Sequence, residues 1–194
     1  NILETISIDV QVMTNDEIMN YFNDNIKEIV LDADGAEYSN IKHNELNVVE
    51  NNITGELIYY YNDIKYLPAY ISEKKNALIV PVSGKGLWSS LYGYFALDIT
   101  NYSTVKGITF YQHGETPGLG AEITKSWFKT SFIDKEIYLD NQLQSIMVTK
   151  AGQADKASLY EVDGISGATI TSRGVEILLK RDLLRYEKYF RINK

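Results

Sequence analysis

The densest run of small and hydroxyl-bearing residues is Asp163-Gly164-Ile165-Ser166-Gly167-Ala168-Thr169-Ile170-Thr171-Ser172-Arg173-Gly174, set directly against an apolar-periodic segment. A helix beginning there would leave its first amides unpaired at the positive end of its dipole. A phosphate near Thr169 to Arg173 would find donors, with Gly167 and Ala168 permitting close approach to the backbone. The same residues also suit a plain cap, in which Thr171 or Ser172 satisfies an amide and the glycines make a turn. A second turn, His113-Gly114-Glu115-Thr116-Pro117-Gly118-Leu119-Gly120, follows a β-type run. Proline presets one dihedral and glycine accepts the positive one, so Pro117-Gly118 would display Glu115 and Thr116 at a strand end. A third piece, Gly84-Lys85-Gly86-Leu87-Trp88-Ser89-Ser90, puts a tryptophan beside glycines, as core or as the wall of a flat aromatic ligand. Ser83-Gly84-Lys85-Gly86 lacks the upstream glycine of a Walker loop, and Gly118-Leu119-Gly120 lacks the third glycine of a dinucleotide turn.

These pieces need elements to hold them. Thr14 and Glu17 have capping-box spacing, and Ile18, Phe22, Ile26 and Ile29 fall on one face, which predicts a helix over Thr14 to Leu31. A polar, Asn-rich stretch follows that includes His43 and shows no strong period. From Leu57 the texture changes to short β-type runs: Leu57–Tyr61, Ala77–Val82, Tyr92–Leu97, Val105–Tyr111 and Ile146–Val148. Asn101-Tyr102-Ser103 reads as a hairpin connection between two of them. Thr124 to Phe132 suits a short helix. The strongest helix runs from Ser172 to Phe190, where Val175, Leu179, Leu183, Tyr186 and Phe190 recur at helical spacing and Glu176 to Lys180 offers an i,i+4 pair. Strands and helices without βαβ alternation give an α+β fold, a mainly antiparallel sheet flanked by helices. We divide it into an acidic helical and β lobe, residues 1–77, packed on a main domain, residues 78–194, that ends in the long helix.

Composition narrows the chemistry. Cysteine is absent, which removes thiol nucleophiles, disulfides and thiolate metal sites, and two histidines far apart in sequence make no imidazole-built metal centre. We therefore expect no metal and no catalytic side chain of the Ser-His-Asp or paired-carboxylate kind. The net charge of −7 is uneven: residues 1–63 hold thirteen Asp/Glu against two Lys, whereas residues 173–194 hold seven Lys/Arg against three Asp/Glu. No extended basic patch is present, so nucleic acid is set aside as a partner. No run of 18 or more apolar residues occurs, and the first residue is Asn1, which suggests a processed or trimmed chain.

Together the three pieces resemble a known family. Asp163 to Thr169 is similar to a flavinylation signature, an acidic residue, two residues, then Ser-Gly-Ala-Thr. Gly84 to Ser89 and His113 to Gly120 resemble, in the same order, the soluble part of NqrC, a component of the sodium-translocating NADH:quinone reductase. The likeness covers roughly residues 78–185 and is loose over the acidic N-terminal part. It implies FMN held by a phosphoester to Thr169; we expect Ser166, Gly167, Ala168, Thr171 and Ser172 around the phosphate, and Asp163 either holding the loop through backbone hydrogen bonds or contacted by the transferase. Leu87, Trp88, Thr116, Leu119 and Gly120 are expected to border the ring, and Glu115 is counted among the cofactor-binding residues.

The resemblance implies an oxidoreductase subunit, not catalytic alone, that passes electrons from an iron-sulfur centre to a flavin of a membrane subunit. Its partners would be the other subunits of the complex and, during maturation, a flavin transferase using FAD and a divalent metal. The expected location is the periplasmic side of a bacterial inner membrane, anchored by a membrane helix preceding Asn1. RnfG, the sister component of the related Rnf complex, has similar Thr-Pro-Gly-Leu-Gly and Ser-Gly-Ala-Thr motifs, and Gly-Lys-Gly-Leu-Trp-Ser favours the quinone reductase. Two other readings stay open at this level: an RnfG-type or stand-alone periplasmic FMN carrier, and a cofactor-free module whose acidic lobe docks a protein partner.

Overall fold

The computed structural model describes residues 1–194. In chain order the elements are α1 (Ile2–Thr5), α2 (Asn15–Asn25), β1 (Lys27–Leu31), β2 (Asn47–Glu50), β3 (Leu57–Tyr61), β4 (Ile64–Ser72), β5 (Ala77–Lys85), β6 (Ser90–Asp98) and β7 (Val105–Gln112). After them come α3 (Ser126–Thr130), the short strands β8 (Tyr138–Leu139), β9 (Gln142–Leu143), β10 (Met147–Thr149) and β11 (Glu161–Asp163), and α4 (Thr169–Asn193). Seven strands form one sheet in the order β2-β3-β4-β5-β6-β7, with β1 also paired to β4, and every neighbour is antiparallel. A parallel β10–β11 pair and an antiparallel β8–β9 pair lie outside it. The fold is α+β, mainly antiparallel. The sheet continues across residue 77, because β4 and β5 pair through Ser72↔Ala77.

Strand β5 shows why the sheet is covered on both sides. Its apolar run alternates Leu78, Val80 and Val82 toward one face and Ala77 and Ile79 toward the other, and all five are buried. The first face joins Phe95, Phe128 and Phe132 to Val175, Leu178, Leu179, Leu183, Tyr186 and Phe190 of α4 in a core of 31 buried residues. The second packs Ile79 and Ala96 against Leu3 and Ile6 of the N-terminal segment, with Phe22 of α2 beside them. Backbones meet closely at two places: a Cβ on Gly174 would lie 2.2 Å from Lys85 O, and one on Gly107 would lie 2.0 Å from Thr5 O. Thus α4 lies directly on the end of β5, and the chain start on β7. No helix is long and apolar enough to cross a membrane.

The first helix is shorter than its periodicity predicts. The Thr14–Glu17 capping box forms, but α2 ends at Asn25, and Lys27 to Leu31 are strand. Ile29 faces the core only by pairing opposite Ala69, so a distant strand overrides a helical spacing shared by four apolar residues. Strand β4, which contains Pro68, has no counterpart in the sequence reading. Pro68 falls between the stretch paired to β3 (through Tyr66↔Tyr59) and the stretch paired to β5 (from Tyr70↔Ile79), a gap where a missing N–H is tolerated. The hairpin at Asn101-Tyr102-Ser103 forms, with Tyr102 at φ +50° and its amide donating to Asp98 O. The Glu176–Lys180 pair does not: Glu176 Oε2 accepts from the Val148 amide at 3.0 Å and so ties α4 to β10.

Candidate functional site

The three sequence pieces converge at one end of the molecule. Strand β5 delivers Gly86 to Ser89 into a tight turn closed by the Gly86 amide on Ser89 O at 2.8 Å. Strand β7 delivers His113 to Gly120, and β11 leads through Gly164 to Ala168 into α4. In the middle loop, Gly118 takes φ +75° and the Leu119 amide donates to Thr116 O at 3.1 Å, the turn that Pro117-Gly118 dictates.

A single carboxylate joins the three. Glu115 is 5% exposed. Its Oε1 accepts from the amides of Trp88 at 2.9 Å and Ser89 at 3.1 Å, and its Oε2 from the Leu87 amide at 3.2 Å and the Thr171 hydroxyl at 2.5 Å. Ser89 Oγ in turn accepts from the Gly114 amide at 2.6 Å. Burial pushes the Glu115 carboxyl upward, but the bonds from Thr171 and from the Trp88, Leu87 and Ser89 amides outweigh it and hold the group below its ordinary 4.5. Glu115 thus serves the protein's own donors, and both of its oxygens face inward.

The start of α4 is open. Its N-cap is Ala168, no side chain caps it, and its first turn holds no acidic residue. Thr169, the first helical residue, is exposed, as are Ser166 and Gly167, while Ala168 is buried. Neither Thr171 nor Ser172 is the cap. Thr171 is spent on Glu115, and Ser172 Oγ accepts from the Ile165 amide at 2.9 Å while donating to Ala168 O at 3.0 Å, which ties the loop to the helix. Gly167 takes φ +73°, and a Cβ there would lie 2.9 Å from Leu119 Cδ2, so this glycine is the contact between the two loops. Asp163 does not shape its own loop: its Oδ1 accepts from the Ala154 amide at 3.0 Å and holds the neighbouring segment.

The loops joined to the open helix end carry exposed apolar side chains. Trp88 is 71% exposed, and Leu87, Leu119 and Ile170 are also exposed, with Thr116 beside them on the turn. Trp88 is therefore not core. Gly120 is buried against Glu115 and Thr171. Cavities of about 430 and 490 Å³ lie elsewhere, one lined by Lys27 to His43, the other beside Asn23 to Lys27. The candidate site is thus a surface with a positive helix end, an exposed hydroxyl and an apolar rim. A phosphate fits the free amides and a flat ring fits the rim. The sequence reading did not include Ser89 among the site residues, because its bond to Gly114 joins residues 25 apart. Neither did it include Ile170, whose exposure depends on how the helix seats.

Comparison with known proteins gives the following likenesses. The model of the FMN-binding domain family matches residues 86–183. NqrC of the Na(+)-translocating NADH-quinone reductase of Vibrio anguillarum is 48% identical over 99 residues, 51% of this chain and 38% of that protein. Its Pseudomonas aeruginosa counterpart is 43% identical over 121 residues, 59% of this chain and 46% of that protein. The matches thus span less than half the length of these relatives. The crystal structure of Shewanella oneidensis NqrC superposes with a TM-score of 0.78 at 23% identity, covering 99% of this chain and 94% of that one, a likeness of fold. The crystal structure of the corresponding Na(+)-translocating NADH-quinone reductase component from Parabacteroides distasonis superposes at 0.72 with 29% identity, covering 97% of this chain and 88% of that one.

Proposed function

This chain belongs to the FMN-binding domain family, and from that premise we propose that it carries FMN covalently on Thr169 as an electron-transfer subunit of a sodium-pumping NADH:quinone reductase. The observation that carries the proposal is the exposed Thr169 on the first residue of an uncapped 25-residue helix, whose first turn is tied through Glu115 to the loop carrying the exposed Leu87 and Trp88 and whose preceding Gly167 meets Leu119. When bound, the flavin supplies electron transfer, and the protein supplies its attachment and surroundings.

Thr169 Oγ1 is the nucleophile. It bonds to the phosphorus next to the flavin's ribityl chain as the bond to AMP breaks, and its proton leaves to a base. The described hydrogen bonds put no base of this chain beside Thr169, so a separate flavin transferase using FAD provides it. The free amides at the start of α4 and the exposed Ser166 and Gly167 receive the phosphodiester charge. Thr171 and Ser172 act by holding the loop, since their hydroxyls are already bonded. The exposed Leu87, Trp88, Thr116 and Leu119 would border the ring, whereas Gly120, buried against Glu115 and Thr171, would not reach it. An exposed ring suits electron exchange with neighbouring subunits on the periplasmic side of a membrane, to which a preceding segment would anchor the domain.

The test is expression with and without a flavin transferase, read by intact mass and by fluorescence on denaturing gels. The wild-type chain gains the mass of FMN minus water only with transferase, and Thr169→Val gains none. Fluorescence retained by Thr169→Val after denaturation would remove Thr169 from the role.

A further inference from the structure

Four hydroxyls crowd into seven residues at the start of α4: Ser166, Thr169, Thr171 and Ser172. The fold treats them unequally. Thr171 is 1% exposed and Ser172 2%, whereas Ser166 and Thr169 are exposed. Ser166 precedes the helix, which leaves Thr169 as the accessible hydroxyl on its first turn.

What buries Thr171 is Glu115, and the same carboxylate fills the cradle made by three successive amides, Leu87, Trp88 and Ser89. Such a run of amides is an anion-binding concavity. Here it is occupied from within the chain, so the α4 end is left as the seat for an external phosphate. Two glycines make room for this arrangement. A Cβ on Gly86 would lie 2.6 Å from Glu115 Oε1, and one on Gly120 would lie 2.6 Å from Oε2 and 2.7 Å from Thr171 Oγ1. Their small size thus serves an internal carboxylate.

We infer that Glu115 is a positioning residue that clamps the Gly86–Ser89 turn to the first turn of α4, sequestering the Thr171 hydroxyl so that Thr169 is the hydroxyl presented for modification. The inference rests on the carrier reading for what is presented; the clamp itself rests on the geometry alone. Ionisation matters to it: the Leu87, Trp88 and Ser89 amides and the Thr171 hydroxyl each point at the carboxylate, and a neutral amide would turn an N–H toward at least one of them. The depressed carboxyl of Glu115 keeps the clamp charged at neutral pH.

The experiment uses the full chain as wild type, Glu115→Gln, Thr171→Val and Thr171→Ser, in two arms. Amide hydrogen exchange on unmodified protein reads the clamp. In Glu115→Gln the Leu87, Trp88 and Ser89 amides should exchange about tenfold faster, the loss expected for charge-assisted bonds, while the Ile79 and Phe95 amides in the sheet hold their rates. Thr171→Ser, which keeps a donor, should behave as wild type. Unchanged exchange at residues 87–89 in Glu115→Gln overturns the clamp. Flavin transferase with FAD, followed by peptide mapping, reads presentation. Labelling of Thr169 should slow about tenfold in Glu115→Gln, fall in Thr171→Val and be rescued in Thr171→Ser. Unaltered rate and site in both Glu115→Gln and Thr171→Val overturn the presenting role. If wild type takes no flavin while exchange responds as expected, the carrier reading fails and the clamp stands.

Discussion

The first turn of α4 and the rest of that helix are attached to the sheet by different forces. At the first turn the contacts are directional: Thr171 on Glu115, Ser172 on Ile165 and Ala168, and a carboxylate threaded among backbone amides. From Val175 to Phe190 the attachment is mainly apolar, with Leu178, Leu179, Leu183 and Phe190 buried in the main core, where the helix packs chiefly on β5. The one buried charge there, Asp182, accepts from the Ser83 amide at 2.8 Å and pairs with Arg181 and Arg185. Directional bonds orient exposed loops without much apolar area to bury. Apolar burial stabilises by about 1.5–3 kcal/mol per large side chain and tolerates small angular errors. The helix thereby separates the part that orients a site from the part that keeps the domain folded, and mutations should separate them too.

The largest effect on stability should come from the apolar body. Leu179→Ala should cost about 2–5 kcal/mol in urea unfolding and leave exchange at Leu87 to Ser89 in the native state unaltered. A comparable cost from Thr169→Val would erase the distinction. Next is Gly167→Val, which forces a β-branched residue into a left-handed backbone and against Leu119. It should cost about 1–3 kcal/mol, and it should block labelling of Thr169 by moving the loop.

The two buried carboxylates sharpen the contrast through pH. Glu115, held below 4.5, contributes stability in full above that value and loses it as pH falls through its lower folded value. At Asp182 burial dominates and carries the carboxyl above 3.8 despite Arg181, the Ser83 amide and Arg185, so protonation on the way down toward 3.8 favours the folded state. Unfolding measured from about pH 7 down to about pH 3 should show the gap between wild type and Glu115→Gln narrowing once the pH falls below 4.5. Over the same range wild type should gain stability relative to Asp182→Asn. Parallel slopes would mean that the two sites are electrostatically alike. The smallest change in stability belongs to Thr169→Val, within about 0.5 kcal/mol for an exposed position, although it should abolish covalent flavin in the mass assay.

Local signals were legible wherever they were sufficient. The Pro117-Gly118 turn, the Tyr102 hairpin, the Thr14–Glu17 capping box and the apolar stripe of α4 each depend on residues a few positions apart, and each formed. Lys27 to Leu31 was illegible for the opposite reason, since short apolar spacing fits helix and strand alike and the partner strand decides. Strand β4 was hidden by Pro68, which sits opposite Val30 of β1 on one side and on the other falls between the β3 and β5 ladders, where the Tyr186 hydroxyl donates to its carbonyl. Within the site the three motifs were visible in order, yet Glu115 looked like a residue displayed to a ligand. Its partners lie 26 to 28 residues before it and 56 after it.

By itself the sequence determined which groups exist to do chemistry: no thiol, two separated imidazoles, and a hydroxyl and glycine cluster at a helix start. Residue identity and short spacing suffice for that, because turns, caps and helix ends are built from neighbouring residues. Only the tertiary structure decided which two of four hydroxyl residues are exposed, that the amides of Leu87 to Ser89 are already filled, and that Trp88 faces solvent. Exposure and hydrogen-bond saturation are properties of what packs around a group, and here that packing is supplied by β5, β7 and α4, segments that only the folded sheet brings together.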